Sequence, residues 1–488
     1  MTEAPRFVVR EIELYERPVK LRLPFRFGIV TLTECPQAFV RARVEFADGD
    51  GARGAAAEML APKWFDKNPA LTNENNFDQL RDVLRMARAA YLSDASLTSA
   101  FGHFARHYDS HRGAAAAKGY NPLLANYGPA LIDRAVLDAL CRSRGVSFYC
   151  AMRANLPGIG RLQPAHSATA GDVWPPFAGF DFDAFLQGFA PATSIEARHT
   201  VGMVDAITAD DLEGGARVGD GLPETLEEVI AVYGHRYFKL KVGGKIAADL
   251  PRLKAIAAVL DRIAEPYFVT LDGNEQFDDA QGLAELAVAI RGDPALARLW
   301  RSVLFIEQPI ARSVALEGGT GDLRRMDLGR PVIIDESDGE LDAFVRARER
   351  GYAGVSSKTC KGLYKSILNA ARCAAWNAQA GDSRYFMSAE DLTTQAGLSV
   401  QQDLALVNLL GIAHVERNGH HYVNGMAALP RAEQDAFLAA HPDLYEFSHG
   451  AARLRITRGR IDIASLGCPG FASAAMPAFA DMQAIVGV

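Results

Sequence analysis

The sequence predicts an α/β fold, a modified TIM barrel of the (β/α)7β kind with an α+β capping domain built from the N-terminal region and the C-terminal tail. Two patterns carry this prediction. After about residue 190, eight short β-rich runs alternate with helical segments, which is typical of βαβ units and a parallel sheet. Before about residue 150, β-rich stretches precede helical ones, which indicates a separate unit. A chain of 488 residues is long enough for a barrel of roughly 250 residues and a second core.

The N-terminal region begins with strands and continues with helices. PRFVVREIELYE and AFVRARVEFADGDGARGAAAEM read as strands up to about residue 60, and the Asp-Gly repeats in the second mark a hairpin turn. From about 76 to 150, apolar residues recur at three- and four-residue spacing, as in FDQLRDVLRMARAAYL and ALIDRAVLDALCRSRG, and Gly145 is a stop signal. We expect these helices to cover the sheet.

A stretch rich in Pro and Gly separates the two domains. Residues 153–190 lack periodicity, which predicts a linker or long loop. We therefore place the capping domain at 1–152, joined by the tail 446–488, and the barrel at 153–445. The tail ARLRITRGRIDI, around Gly459, is expected to form one more hairpin that returns to the first sheet.

Eight strand candidates follow this boundary. They are, in order, IEARHTVG near 195, YFKLKV near 240, YFVTLD near 270, VLFIEQ near 305, PVIIDE near 334, AGVSSK near 356, RYFMSA near 386 and AHVERN near 415. Helical segments lie between them. A doubly wound open sheet is the competing architecture, but eight evenly repeated units favour a closed barrel.

Composition and charge exclude several classes of protein. Hydrophobic residues make up 49% and charged residues 23%, which suits a globular chain rather than a fibre or a disordered protein. The net charge is −7 and no basic stripe is present, so we expect no nucleic-acid partner. There is no run of about 18 apolar residues and no secretory signal pattern, so we expect no membrane association and a cytoplasmic location. The expected partners are a small carboxylate substrate and, in a homo-oligomer, other copies of the chain.

Cysteines and histidines give no zinc signature in the sequence. The six cysteines are scattered, without CxxC or Cys/His clustering of the zinc type, so we expect reduced and mostly buried thiols. His420 and His421 are adjacent, and neighbouring residues in a strand point to opposite faces. We therefore expect structural or surface roles for this pair rather than joint binding of one metal.

Charged residues end five successive predicted strands. Catalytic groups of barrels lie at these C-terminal strand ends, because the loops there form one mouth. Side chains alternate along a strand, so all of these residues can face the interior while their apolar neighbours face the helices. They are Lys239 and Lys241 on the second strand, Asp272 on the third, Glu307 on the fourth, Asp335 on the fifth and Lys358 on the sixth.

The three acids predict a cation site between opposed lysines. Asp272, Glu307 and Asp335 would meet at one rim, where their charges repel unless they are neutralised. Carboxylate oxygens favour Mg²⁺ or Mn²⁺ over zinc. Lysines from the second and sixth of eight strands stand on opposite sides of the mouth, and a substrate can lie between them. A divalent cation that grips a carboxylate would stabilise the enolate formed when its α-proton is removed.

The ordered set KLK, LDGN, IEQP, IDES and SSK resembles the enolase superfamily, within it the mandelate racemase/muconate lactonizing enzyme family and the muconate lactonizing enzyme-like subgroup in particular. The N-terminal PFRFG and the late GCPGFA look like the capping domain of that superfamily. Insertions near 62–120, 155–190 and 425–445 fall outside the resemblance. The resemblance implies that Asp272, Glu307 and Asp335 bind Mg²⁺, with Mn²⁺ possible, and that Lys241 and Lys358 are the acid/base pair.

The same resemblance implies supporting roles for further residues. Lys239 would help to hold the substrate carboxylate, and Asn274 and Glu336 match positions that support the metal ligands. Asn274, Glu336 and Gln308 can equally be cap or turn partners. Phe25, Phe27 and Trp64, in the capping loops 24–36 and 58–66, hint at an apolar or aromatic part of the substrate. Lys361, Lys365 and Arg372 are expected on the solvated face of a helix.

The expected reaction is removal of the proton α to a carboxylate by an isomerase or lyase. A racemase, epimerase or cycloisomerase is the leading expectation, and an acid-sugar-type dehydratase or another β-elimination lyase uses the same site. A non-catalytic carboxylate- or metal-binding protein is the alternative from another class. The chain departs from the family pattern at two places. RYFMSAEDLTT has no base histidine after the seventh strand, which argues against a His/Asp dyad. HVERNGHHYV has only Glu416 where dipeptide epimerases usually carry Asp-x-Asp, which argues against a dipeptide substrate.

Overall fold

The computed structural model describes residues 3–27, 30–160, 179–212, 217–319, 321–392 and 394–486. It contains an antiparallel sheet covered by helices and a parallel barrel. The α/β fold class predicted from the sequence is confirmed. None of the helices formed by the described residues combines the length and apolar character needed to span a bilayer.

Strands precede helices in the N-terminal region, and the two alternate after about residue 190, as the sequence predicts. The strands are β1 (Phe7–Arg17), β2 (Lys20–Phe27), β3 (Val30–Glu34), β4 (Gln37–Phe46), β5 (Gly51–Met59), β6 (Ser194–Val201), β7 (Tyr237–Lys241), β8 (Phe268–Asp272), β9 (Val303–Glu307), β10 (Val332–Ile334), β11 (Gly354–Ser357), β12 (Phe386–Ala389), β13 (His414–Arg417), β14 (Tyr445–Ser448), β15 (Ala451–Leu454), β16 (Arg460–Asp462) and β17 (Gln483–Ala484). The α-helices are α1 (Asn73–Ser93), α2 (Ala100–Ala117), α3 (Pro122–Ser143), α4 (Phe148–Arg153), α5 (Phe182–Gln187), α6 (Leu226–Tyr233), α7 (Ile246–Leu260), α8 (Ala280–Gly292), α9 (Ala297–Ser302), α10 (Arg312–Ala315), α11 (Ala343–Glu349), α12 (Leu363–Ala380), α13 (Leu398–Leu409), α14 (Gly419–Tyr422) and α15 (Arg431–Ala440).

The capping unit is a four-stranded sheet in the order β17, β1, β4, β5. The strands pair antiparallel, and β4 and β5 form the hairpin marked by the Asp-Gly repeats. Helix α3 packs closely against β5 on one side and against α1 on another. An added Cβ on Gly54 of β5 would lie 2.2 Å from the amide nitrogen of Ala139 in α3, and one on Gly128 of α3 would lie 2.3 Å from the carbonyl oxygen of Val83 in α1. Only glycine permits these contacts.

The barrel contains eight parallel strands in the order β12, β11, β10, β9, β8, β7, β6, β13. Strand β13 pairs with β6, so the last strand of the barrel meets the first. Side chains link the end of β12 to both β13 and β6: Glu416 of β13 accepts from the amide of Asp391 at 2.9 Å, and Arg198 of β6 donates to the carbonyl of Ala389 at 2.7 Å. Seven strands are each followed by an α-helix and the eighth completes the ring, which is the (β/α)7β arrangement.

The strands have the predicted phase. Asp272 and Glu307 are buried at the ends of neighbouring strands and lie opposite each other in the β8–β9 ladder. Leu271 and Ile306, the residues that precede them, belong to the apolar layer between the barrel and its helices. Alternation along a strand therefore places acids inside and apolar side chains outside.

The tail differs from the prediction. Residues 451–454 pair with β14, and β16 pairs antiparallel with β6, the first barrel strand, rather than with the N-terminal sheet. Gln483 and Ala484 make the return to the first sheet, beside Glu16 and Tyr15 of β1. The pattern around Gly459 marks a turn but does not specify which edge the strand joins. Of the predicted loop 153–190, residues 161–178 lie outside the described residues.

Candidate active site

Three acids meet at the C-terminal mouth of the barrel. Asp272 ends β8, Glu307 ends β9, and Asp335 follows the last residue of β10. All three are at most 1% exposed. The structure thus brings together the three acids that the sequence predicts as metal ligands.

Lys239 of β7 lies at the centre of this acidic group. Its Nζ donates to Glu307 Oε1 at 2.9 Å, to Glu390 Oε2 at 2.8 Å and to Glu416 Oε2 at 3.0 Å. It also lies 2.9 Å from Asp272 Oδ2. An ammonium has three hydrogens, so all donors of Lys239 are engaged with carboxylates. Binding a substrate carboxylate here requires one of these bonds to be released.

The two lysines predicted as acid and base stand at the two ends of the acid row. Lys241 Nζ donates to Asp272 Oδ2 at 2.6 Å. Lys358 Nζ donates to Asp335 Oδ2 and lies 4.4 Å from the ring centroid of Trp64. Their strands, β7 and β11, are four positions apart in the sheet order, so the two ammonium groups approach the mouth from opposite sides.

Burial and charge set the protonation of the acids. Burial opposes ionisation of Asp272, but Lys239 and Lys241 hold its pKa below the usual value. For Glu307, burial and repulsion from Asp272 and Glu390 raise the pKa well above the usual value, although Lys239 is close. Burial disfavours the charged form of Lys358, yet the adjacent Asp335 raises the pKa of this lysine. The site therefore holds more acidic groups than its lysines neutralise.

Asn274 and Glu336 form a second layer behind the acids. The amide N–H of Asn274 donates to Asp272 Oδ1 at 2.9 Å, and its side-chain Nδ2 donates to Glu336 Oε1 at 3.2 Å. Lys67, from the capping unit, donates to the carbonyl of Asn274 at 2.7 Å and lies 2.6 Å from Glu275 Oε2. A lysine of the cap thus reaches the rim of the barrel.

Gln308 positions the loop that carries Asp335. Its Oε1 accepts from the amide N–H groups of Asp335 at 2.8 Å and Ser337 at 3.0 Å, and its Nε2 donates to Ser337 Oγ at 2.7 Å. Gln308 has a φ of 31°, in the left-handed region that non-glycine residues rarely adopt. Such backbone strain persists only where the surroundings fix the residue. Here the hydrogen bonds of the Gln308 side chain to Asp335 and Ser337 hold it in place.

Several residues of the site were not predicted. Glu390 and Glu416, at the ends of the seventh and eighth strands, both bind Lys239, and Arg198 of β6 donates to Glu390 Oε1 at 2.6 Å. Applying the strand-end rule to all eight strands would have identified both glutamates.

Three basic residues after the sixth strand are buried rather than solvated. Lys361 donates to Ser356 Oγ at 3.0 Å and lies 3.3 Å from Asp335 Oδ1, so it belongs to the acid group. Lys365 is 3.5 Å from Asp338 Oδ2, and Arg372 is fully buried and donates to Asn369 at 2.7 Å. Helix α12 packs against α2 and α3 of the capping unit. The buried carboxylates of Asp335 and Asp338 compensate the charges of these three residues. The prediction of a solvated face was wrong.

A small cavity of about 20 Å³ opens above the acids. Its floor is polar and includes Lys239, Lys241, Asp272, Lys358 and Glu416. Its upper wall is apolar and comes from the capping unit, with Phe25, Phe27, Leu32, Ala61 and Trp64. A ligand at this position would meet charged groups below and apolar side chains above.

The donor set fits a hard divalent cation. Asn274 Oδ1 and Glu336 Oε2 are buried and accept no hydrogen bond from the described residues. Glu307 Oε2 receives none either, although Lys239 Nζ lies 2.7 Å away off the bonding direction. Buried oxygens without donors, next to carboxylates that repel each other, are a site where a cation lowers the free energy. Asp272, Glu307 and Asp335 are the residues that would hold it.

Comparison with known proteins gives one family and a group of similar folds. The model of a family described as Enolase C-terminal domain-like matches residues 221–465. A mandelate racemase/muconate lactonizing protein from Herpetosiphon aurantiacus is similar over 96% of this chain and 99% of its own, with 15% identity and a TM-score of 0.58. No curated protein sequence matches the chain.

Two further structures have the same architecture. An enolase from Bradyrhizobium complexed with magnesium and mandelic acid is similar over 97% of both chains, with 14% identity and a TM-score of 0.57. A muconate lactonizing enzyme from Pseudomonas fluorescens complexed with muconolactone is similar over 96% of this chain and 97% of its own, with 17% identity and a TM-score of 0.56. At these identities the likeness concerns the fold.

Proposed function

Because the chain belongs to the Enolase C-terminal domain-like family, we propose that it is a Mg²⁺-dependent enzyme that removes the proton α to a substrate carboxylate. The observation that carries the proposal is the arrangement of the floor of the cavity. Three buried acids stand in a row, and a lysine is bound to the acid at each end, Lys241 to Asp272 and Lys358 to Asp335. This is the geometry that a reaction at a carbon between two lysines needs.

The acids would hold the cation through hard oxygen ligands. Asp272, Glu307 and Asp335 favour Mg²⁺, with Mn²⁺ as the alternative, because carboxylate oxygens suit these ions better than zinc. Once bound, the cation supplies positive charge against the negative charge that develops on the substrate carboxylate. Asn274 and Glu336 support the ligands, since Asn274 binds both Asp272 and Glu336.

The lysines are proposed to move the proton. Lys241 or Lys358 takes it from the α-carbon, and the lysine on the other side returns it or assists a leaving group. A lysine must be uncharged to act as a base, so the ammonium of Lys241 or Lys358 has to release a proton to solvent before it takes one from the α-carbon. Lys239 balances the charge of the acids, and we propose that it also contacts the substrate carboxylate, because it lines the cavity.

The cavity favours a substrate with an apolar portion. Phe25, Phe27 and Trp64 line the cavity with aromatic rings, which offer few hydrogen bonds to a polyhydroxy chain. We therefore favour a racemase, epimerase or cycloisomerase of the muconate lactonizing enzyme-like subgroup over an acid-sugar-type dehydratase. Two lysines on opposite sides of one carbon make racemisation or epimerisation the simplest outcome.

Exchange of the α-proton in D₂O tests the proposal. The protein is incubated with Mg²⁺ and each enantiomer of mandelate and of N-acetylphenylalanine, with gluconate as a polyhydroxy acid, and the α-proton signal is followed by ¹H NMR. We expect exchange with an aromatic acid and none with gluconate. EDTA should stop it. If an acid binds in calorimetry and no exchange occurs, the protein is a non-catalytic carboxylate-binding member.

Lysine variants test the two-base assignment. Lys241→Ala and Lys358→Ala should each abolish exchange for one enantiomer or for both, because each removes the base on one side. Lys254→Ala changes a lysine whose side chain is 46% exposed and should leave exchange unchanged. Full activity in either cavity variant contradicts the assignment.

A further inference from the structure

Three buried histidines lie together on the outer side of the barrel, away from the cavity. His199 lies on β6, His235 precedes β7 and His420 lies on α14, after β13. Each offers a ring nitrogen, and these nitrogens all lie within 4.8 Å of one another. The rings are 1% to 8% exposed. The chain neighbours of His199 are Arg198 and Thr200, which point into the barrel and bind Glu390 and Glu416. His199 lies between them on the same strand and therefore points outward.

The distance between two of these nitrogens matches a tetrahedral metal site. His199 Nδ1 and His420 Nε2 are 3.3 Å apart, a hydrogen bond in which one of the two rings donates and which a bound ion would replace. Zinc binds histidine nitrogen at about 2.0–2.1 Å, and two ligands of a tetrahedral ion at that distance are about 3.3 Å apart. The pair therefore spans one edge of such a site without moving.

The third histidine has the required tautomer. His235 Nδ1 lies 3.0 Å from the carbonyl oxygen of Ala197. A carbonyl only accepts, so Nδ1 carries the hydrogen and Nε2 carries a lone pair. His235 Nε2 is buried and has no partner among the described residues. Ligating histidines commonly donate their other N–H to a backbone carbonyl in this way.

The surroundings keep the imidazoles neutral, which metal binding requires. Burial lowers the pKa of His235 to about 4, and burial followed by repulsion from neighbouring histidines lowers the pKa of His199 and His420 well below the usual value. Two arginines lie near the group, but both are paired: Arg22 with Asp220 at 2.5 Å and Arg417 with Asp403.

We propose that His199, His235 and His420 form a site for Zn²⁺ or a similar borderline divalent ion, separate from the acidic site in the cavity. Imidazole nitrogen suits zinc, cobalt, nickel and copper, whereas the carboxylates of the cavity suit magnesium. The site would join β6, the segment before β7 and the segment after β13. These are the elements at which the first and last barrel strands pair, so the ion would strengthen this seam. His235 also lines a surface depression with Gly234 and Arg458.

Cobalt binding in the presence of magnesium tests the proposal. The full chain is saturated with Mg²⁺ to occupy the acids and titrated with Co²⁺, whose visible absorption reports tetrahedral nitrogen ligation. We expect one equivalent to bind and Zn²⁺ to displace it. Zn²⁺ should also raise the midpoint of thermal unfolding by several degrees, because it binds only the folded state. If no Co²⁺ absorption appears and Zn²⁺ leaves the midpoint unchanged, the proposal is wrong.

Variants locate the site. His235→Asn keeps a donor for the Ala197 carbonyl but removes the Nε2 lone pair, so it should fold normally and bind at least about a hundredfold more weakly. His420→Gln should have the same effect. Asp94, His103 and His107 form a second group of potential metal ligands among the described residues. His107→Gln changes that group and should bind Co²⁺ as the unchanged protein does. Full binding by His235→Asn, or loss in His107→Gln, overturns the assignment.

The acidic site is tested separately. Asp335→Asn removes one of the three carboxylates proposed to hold Mg²⁺ in the cavity, and it should leave the Co²⁺ absorption unchanged. If this variant loses Co²⁺ binding, the ion sits in the cavity and the histidine proposal fails. Failure of α-proton exchange, in turn, leaves the histidine result unaffected, so the two proposals are distinguishable.

Discussion

Lys239 shows how one residue organises a site. It is 1% exposed and lies within 3.0 Å of oxygen atoms of Asp272, Glu307, Glu390 and Glu416, which belong to four different strand ends. A charge at this depth is stabilised only by groups that surround it. The same contacts keep four acids together, so the lysine and the acids depend on each other.

Replacement of Lys239 by Met should destabilise the protein strongly. The variant keeps the apolar stem but leaves buried carboxylates without their common partner, and breaking buried pairs of this kind costs about 3–5 kcal/mol. Urea unfolding in EDTA measures the free energy of unfolding. Mg²⁺ should restore part of the loss, because it can neutralise the same acids.

Lys254→Met is the matched control. Its ammonium lies 2.5 Å from Asp293, but the lysine side chain is 46% exposed, and exposed pairs contribute less than about 1 kcal/mol. A Lys239→Met protein as stable as this control would mean that the acids of the cavity are protonated or solvated.

At the scale of elements, the capping unit depends on close approach of α3 to its neighbours. Gly54 permits β5 to lie against the backbone of α3, and Gly128 permits α3 to lie against α1. The same unit supplies Trp64 and Lys67 to the mouth of the barrel. Backbone packing in the cap therefore sets the position of the apolar wall above the acids.

Gly54→Ala should destabilise the capping unit. The new Cβ would lie 2.2 Å from one backbone atom of α3 and 2.3 Å from another, so the helix must shift, at a cost of about 3 kcal/mol or more. Gly51→Ala, on the same strand, meets its nearest atom at 3.5 Å and should change the free energy of unfolding by less than about 1 kcal/mol. Guanidinium unfolding compares the two, and equal stabilities would contradict the close packing.

The sequence predicts the elements of the barrel better than it predicts their long-range contacts. Alternation along each strand is a local pattern, so the inward position of Asp272 and Glu307 follows from periodicity. The burial of Lys361 does not, because its partner Asp335 lies 26 residues earlier in the chain. A local sequence pattern cannot reveal the histidine group either, because His199 and His420 are separated by 221 residues. Their placement follows only from the pairing of β6 with β13.

At the scale of the whole molecule, the C-terminal tail connects the two units. Phe471 is fully buried and stacks on Phe148 of α4, with ring centroids 4.0 Å apart. Its amide N–H donates to Asp138 Oδ1 at 2.6 Å, and Asp138 also accepts from the amide of Ala55 in β5 at 2.9 Å. The tail, α3 and β5 therefore share one carboxylate.

Phe471→Ala should lower stability throughout the molecule. Removing a buried aromatic ring costs about 3–5 kcal/mol, through lost burial and the cavity that remains. Because the tail packs against the cap and continues from the barrel, circular dichroism and tryptophan fluorescence should shift together in a thermal scan. Phe447→Ala removes a ring that is 48% exposed and serves as the control. Two separate transitions in the Phe471 variant would mean that cap and barrel unfold independently.

Strand β17 lies beside β1, although the two are the last and first strands of the chain. During synthesis the N-terminal strands leave the ribosome first, and the whole barrel is made before β17. Part of the edge of β1 stays unpaired throughout that time. A chain cut short after the barrel would keep every acid and lysine of the cavity but carry an open sheet edge, a surface that pairs readily with other chains. Loss of the last strand would therefore favour aggregation even in a chain whose active-site residues are all present.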